Sequence, residues 1–129
     1  IHVEWCSTLG GGNYWQRQLA EYVAELGFGS PHYVSWAPSH HAAAAVLLSH
    51  FLLQPSRPWL RVVQTECFAG DTSQQAAVEI VVKELFRVIR SVTPQSAIYQ
   101  KFDTAELGQL STAAAQLVAA VSDQQLLQR

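Results

Sequence analysis

The 129-residue chain contains no methionine, two cysteines, five prolines and a charged fraction of only 14%. Each shortage excludes something. Cys6 and Cys67 are too few for a disulfide framework and stand in no C-x-x-C or histidine-rich setting that would make a zinc site, so neither a metal nor another cofactor is expected. An intracellular, reducing compartment follows as the expectation, nucleus, cytoplasm and mitochondrion all staying open, as does a single disulfide between the two cysteines. Eight Lys and Arg against ten Asp and Glu leave a formal charge of -2, which excludes nucleic-acid binding by bulk cationic charge. Any RNA contact has to be local. Apolar runs such as Ala42 to Leu48 and Phe51 to Leu53 stop at Ser49, His50 and Gln54, far short of the roughly 20 residues that span a bilayer, so no membrane association is expected. With Ile1 first and no Met, the chain reads as a segment of a longer or processed protein.

What is present suffices for one core, since 49% of the residues are hydrophobic. Leu9-Gly10-Gly11-Gly12 lacks the Gly-Lys-Ser/Thr of a phosphate loop and reads as a turn or linker. Asn13 with Gln16 resembles a capping box, and Trp15, Leu19, Tyr22, Val23 and Leu26 recur at helical spacing, predicting a helix over 14–26 that stops at Gly27. His32-Tyr33-Val34-Ser35-Trp36, between Pro31 and Pro38, reads as a short strand. Ser39 to Leu53 stays open. Its alanines favour helix, while its unbroken apolarity also fits a strand buried on both faces. Trp59 to Phe68 is the strongest strand pattern in the chain. Val78, Val81, Val82, Leu85 and Ile89 predict a helix over 76–90, and a third helix, 103–128, opens at Asp103 and Glu106 with Leu107, Leu110, Ala114, Leu117, Val118 and Val121 as its stripe.

In that order several short motifs appear. Leu19-Ala20-Glu21-Tyr22 runs without a gap into Pro31-His32-Tyr33 and Ala37-Pro38-Ser39-His40, and Gly70-Asp71-Thr72-Ser73-Gln74-Gln75-Ala76-Ala77 opens the second helix. Together they resemble the double-stranded-RNA-binding domain over residues 14–89. The resemblance implies an α+β fold of order α-β-β-β-α, two helices on one face of a three-stranded antiparallel sheet, followed by an additional C-terminal helix. The expected division is an extension at 1–13, the domain at 14–90 with a possible insertion or helix within 42–58, and a linker and helix at 91–129.

Such domains read duplex RNA by shape across two minor grooves. The resemblance implies Glu21 and His40 as minor-groove contacts, with Pro38 stiffening the loop that presents His40. Each also reads as an ordinary surface residue. Where the family carries phosphate-binding lysines, Ser73, Gln74 and Ala77 stand, and Asp71 adds a negative charge. Arg17, Arg57 and Lys83 are the substitute cations, although Lys83, Arg87 and Arg90 also form a solvated stripe suited to a helix C-terminus. The strand residues Trp59, Val63 and Phe68 need cover, which Leu107, Leu110 and Leu117 of the third helix, a second copy or a partner would supply.

The expected function is therefore a non-catalytic module of a larger RNA-metabolism protein that acts through a protein partner or homodimer and binds duplex RNA weakly. A working duplex-RNA binder is the alternative. A thiol enzyme built on Cys6 or Cys67 with a histidine base comes third, without any local signature sequence.

Overall fold

A computed structural model of the chain describes residues 14–53 and 72–121. Among these residues every regular element is helical, so the expected α+β fold with its three-stranded sheet is not what the chain forms. The elements are α1 (Tyr14–Gly27), a 3-10 turn (Tyr33–Ser35), α2 (Pro38–Leu53), α3 (Thr72–Ser91), α4 (Ala97–Phe102), a second 3-10 turn (Ala105–Leu107) and α5 (Leu110–Ala119). The strong strand pattern at 59–68, with Trp59, Val63, Phe68, Arg57 and Cys67, lies outside the described residues, as do Cys6 and the glycines at 10–12.

The centre of the fold is the segment whose local pattern left helix and strand open. In α2 every residue from His41 to Leu52 is buried. A helix that is apolar all round has to be surrounded, and α2 packs against α1, α3 and α5. Pro38, expected to end a strand, instead begins this helix, where its missing N–H costs nothing. The Ala37 carbonyl accepts the His41 N–H at 3.0 Å, closing the first turn. Inside α2 the one buried hydroxyl, Ser49, donates to the Val46 carbonyl at 2.8 Å and so adds no unsatisfied polar group.

Around α2 the flanking helices are amphipathic. Leu19, Tyr22, Val23 and Leu26 of α1, and Val78, Val82, Leu85 and Phe86 of α3, face inward. These helices match the expected spans 14–26 and 76–90 closely. The expected strand at 32–36 is a 3-10 turn. The Trp36 N–H bonds the Tyr33 carbonyl, and no neighbouring strand is described that would offer Val34 a ladder.

The third expected helix, 103–128, is divided. Gly108 and Gln109 both adopt left-handed conformations (φ 64° and 54°), which no α-helix accommodates. Asp103 and Glu106 therefore open a 3-10 turn instead, with the Thr104 side chain accepting from the Leu107 N–H. Asp103 accepts from Thr112 through both N–H (3.2 Å) and Oγ1 (2.8 Å), which ties that turn to the start of α5. Ser111 Oγ donates to the Tyr99 carbonyl at 2.6 Å, locking α5 to α4.

Candidate protein-docking groove

On one side of the bundle, α1, the 28–36 loop, the start of α2, α4 and the 105–107 turn enclose an open groove of about 680 Å³. Its base is a run of rings. Phe28 meets the His41 imidazole edge-on at 4.9 Å, and Trp36 meets the same imidazole at 5.2 Å. Phe28 also carries Tyr33 edge-on at 5.4 Å. His41 is the hub of this cluster and is only 6% exposed.

That hub depends on Gly27. A Cβ there would lie 2.5 Å from His41 Nε2 and 2.6 Å from Leu85 Cδ2, so only glycine lets α1 approach α2 and α3 this closely. Gly27 was expected to stop the first helix, and it does end α1, but its φ is not in the left-handed region. Its necessity is close packing. Burial lowers the His41 pKa from its ordinary value, an effect the Ala24 carbonyl partly opposes. The imidazole is neutral at physiological pH and serves as an aromatic packing unit.

The opposite wall comes from α4. Phe102 stacks obliquely on Tyr22 at 5.3 Å, and Lys101 donates to Glu25 Oε1 at 2.7 Å, spanning α4 and α1. Both members of that pair are partly exposed, so it orients the rim more than it stabilises the fold. On the loop side the rim is apolar. Phe28 is 57% exposed and Val34 is 77% exposed, and the exposed Tyr33 ring stands edge-on to Phe28.

A polar clamp fixes this loop from behind. Ser30 Oγ donates to Glu84 Oε2 at 2.7 Å and accepts from the His32 N–H at 3.1 Å. Glu84 is held in turn by Arg87, whose Nε and Nη2 donate at 2.9 and 2.6 Å. The bidentate guanidinium, with help from the Ser30 hydroxyl, lowers the Glu84 carboxyl to about 2. The carboxylate is ionised throughout the physiological range.

The residues expected to act are dispersed. Glu21, Pro38 and Leu107 line the groove. Arg17 lies on α1 outside the groove lining. His40 bonds Gln74, so two of the expected RNA-facing positions join α2 to α3. Lys83 pairs with Glu79 at 3.4 Å along α3 and borders a shallower hollow behind the loop. Leu110 is buried in the core, and Leu117 packs partly against it. The ring residues Phe28, Tyr33 and His41 were missed. The signal in the sequence was Phe28, set between Gly27 and Gly29, followed by Tyr33 and Trp36 in a loop whose chemistry alone does not require rings. Among the described residues no group of three or more His, Cys, Asp or Glu is placed to hold a metal ion.

Among the described residues, a helical bundle with a largely apolar surface groove fits a protein-interaction domain better than a nucleic-acid reader. The family comparison agrees: the profile of the cyclin C-terminal domain matches residues 7–116, and the chain belongs to that family. No curated protein and no solved structure matches the chain. The match overturns the double-stranded-RNA-binding resemblance and the RNA function drawn from it. The described residues of the motifs that carried the resemblance lie on α1, on the loop after it, at the start of α2 and at the start of α3, while Gly70 and Asp71 lie outside the described residues. Domains of this family mediate protein–protein interaction, which is consistent with a protein partner, and duplex RNA has no support. Among the described residues no helix is long and apolar enough to cross a membrane.

Proposed function

We propose that the chain is a non-catalytic docking domain that binds a protein kinase or a kinase-associated protein through the groove between α1, the 28–36 loop and α4. One observation carries this reading: Phe28, Tyr33 and Val34 stay at the surface beside an apolar groove of about 680 Å³, although the chain has a full core in which to bury such residues. Family membership supports a kinase as the partner class, since cyclin domains typically bind kinases. The groove's size and ring-lined base suit one or two apolar anchor side chains of a partner, the kind of contact on which interface energy concentrates. Val34 makes no described hydrogen bond and is the most exposed of the rim residues, so replacing it changes the rim and leaves the core intact.

The test is affinity capture of the tagged chain from cells, with kinases quantified by mass spectrometry against an untagged control. The expected result is enrichment of a kinase that Val34→Asp reduces about tenfold, a loss of roughly 1.4 kcal/mol, while helical circular dichroism and the melting temperature are unchanged. Equal capture of the same kinase by Val34→Asp, or no kinase enriched by a folded chain, contradicts the proposal.

A further inference from the structure

Of the five prolines, two follow a hydroxyl residue, in Ser30-Pro31 and Thr93-Pro94. The two dipeptides share one chemistry and sit in opposite surroundings. Ser30 is buried, and its hydroxyl is engaged with Glu84 and with the His32 N–H. Thr93, Pro94 and Gln95 are all exposed, in the turn that joins α3 to α4. That turn is closed by the Ser96 N–H donating to the Thr93 carbonyl at 3.0 Å, a bond made by the backbone and not by the exposed Thr93 side chain.

Pro94 adds two properties that an enzyme can read. It presents no backbone N–H after the acceptor residue, and its ring disfavours the helical region for Thr93, holding that residue toward an extended conformation. Thr93 accordingly lies outside both helices.

The electrostatic setting also suits a new anion. From Arg87 to Lys101 the chain has three cations, Arg87, Arg90 and Lys101, and no carboxylate, in a molecule of formal charge -2. Arg90 lies three residues before Thr93 on the last turn of α3, with its guanidinium over the Phe86 ring at 5.0 Å. Arg87 and Lys101 are paired with Glu84 and Glu25, so the cation nearest in sequence to a phosphate of charge about -1.5 to -2 on Thr93 is Arg90.

We propose that Thr93 is a phosphorylation site for a proline-directed Ser/Thr kinase. In the step, Thr93 Oγ1 bonds to the γ-phosphorus of ATP and the bond from that phosphorus to the β–γ bridging oxygen breaks. ADP leaves, and the hydroxyl proton passes to the kinase's base. The inference uses none of the rim residues Phe28, Tyr33 and Val34, so it stands independently of the docking reading.

The test incubates the intact chain with a purified proline-directed kinase and ATP, alongside a Ser-Pro peptide as positive control. Intact mass and site mapping are then recorded. One phosphate on Thr93 is expected, with none on Ser30 while the chain is folded. Labelling should vanish in Thr93→Val, persist in Thr93→Ser and slow at least about tenfold in Pro94→Ala. Three results each overturn the proposal: an unmodified Thr93 when the control peptide is turned over, Ser30 labelled as fast as Thr93, or Pro94→Ala labelled at the parent rate. The last would assign recognition to Arg90 and a basic-residue-directed kinase.

Discussion

At Gly27 and His41 a single missing Cβ decides how three helices meet. Alanine in place of a helical glycine ordinarily favours folding by roughly 0.5–1 kcal/mol. Here the new methyl would enter the space of His41 Nε2 and Leu85 Cδ2, both on buried side chains that have nowhere to retreat. Overpacking of this kind costs about 1–3 kcal/mol. Gly27→Ala is therefore expected to lower the melting temperature by several degrees, and thermal unfolding followed by circular dichroism measures it. An unchanged or raised melting temperature would mean that α1 does not approach α2 this closely.

His41 supplies a second test at the same scale. Its pKa is lowered in the folded protein by burial among Phe28, Trp36, Gly27 and Leu85, none of which carries a charge. The unfolded chain binds the proton more readily than the folded one. The neutral form's contribution is thus whole above the ordinary value of 6.5 and erodes as pH falls below it. Between pH ~7.5 and ~5 the parent should lose more melting temperature than His41→Phe, because only the parent has this proton to take up. Equal losses would show that His41 is accessible to protons in the folded state.

Among the elements, the loop between α1 and α2 carries the groove rim and is held by Ser30, Glu84 and Arg87. With the Glu84 carboxyl lowered to about 2, the clamp's contribution is complete above the ordinary carboxylate value of 4.5 and is lost only as pH falls toward 2. Removing the hydroxyl acts at neutral pH. Ser30→Ala leaves Glu84 Oε2 without that donor and the His32 N–H without its acceptor, at a cost of roughly 1–2 kcal/mol. Amide exchange over 28–36 should quicken while α3 stays protected, and partner binding should weaken several-fold. Unchanged exchange in the loop would show that other contacts hold it.

The elements also show what the sequence made legible. Helices α1 and α3 were readable because each buries one face and exposes the other, so their apolar residues recur at helical spacing. Helix α2 was not, because a helix enclosed on all sides loses that periodicity and resembles a doubly buried strand. Once 32–36 was read as a strand, short motifs such as Leu19-Ala20-Glu21-Tyr22 fitted an α+β order that the chain does not adopt. The groove was half legible. Glu21, Pro38 and Leu107 were named for other roles, while Phe28, Tyr33 and His41 join only when α2 folds back beside α1.

At the scale of the molecule, the described helices place an apolar groove on the α1 and α4 side and a smaller, charged hollow behind the loop. The low charge of the chain now has a different meaning. It suits a domain whose working surface is apolar, whereas a phosphate-binding surface would need the cations that α3 lacks at Ser73, Gln74 and Ala77. The central claim is that this groove is where a protein partner docks. Hydrogen exchange with mass spectrometry, comparing the free chain with its complex with the captured kinase, tests it most directly. The account predicts new protection over 18–42 and 98–107, centred on the Phe28 to Trp36 loop. Protection confined to the outer face of α3, around Ile80, Lys83 and Arg87, would contradict it.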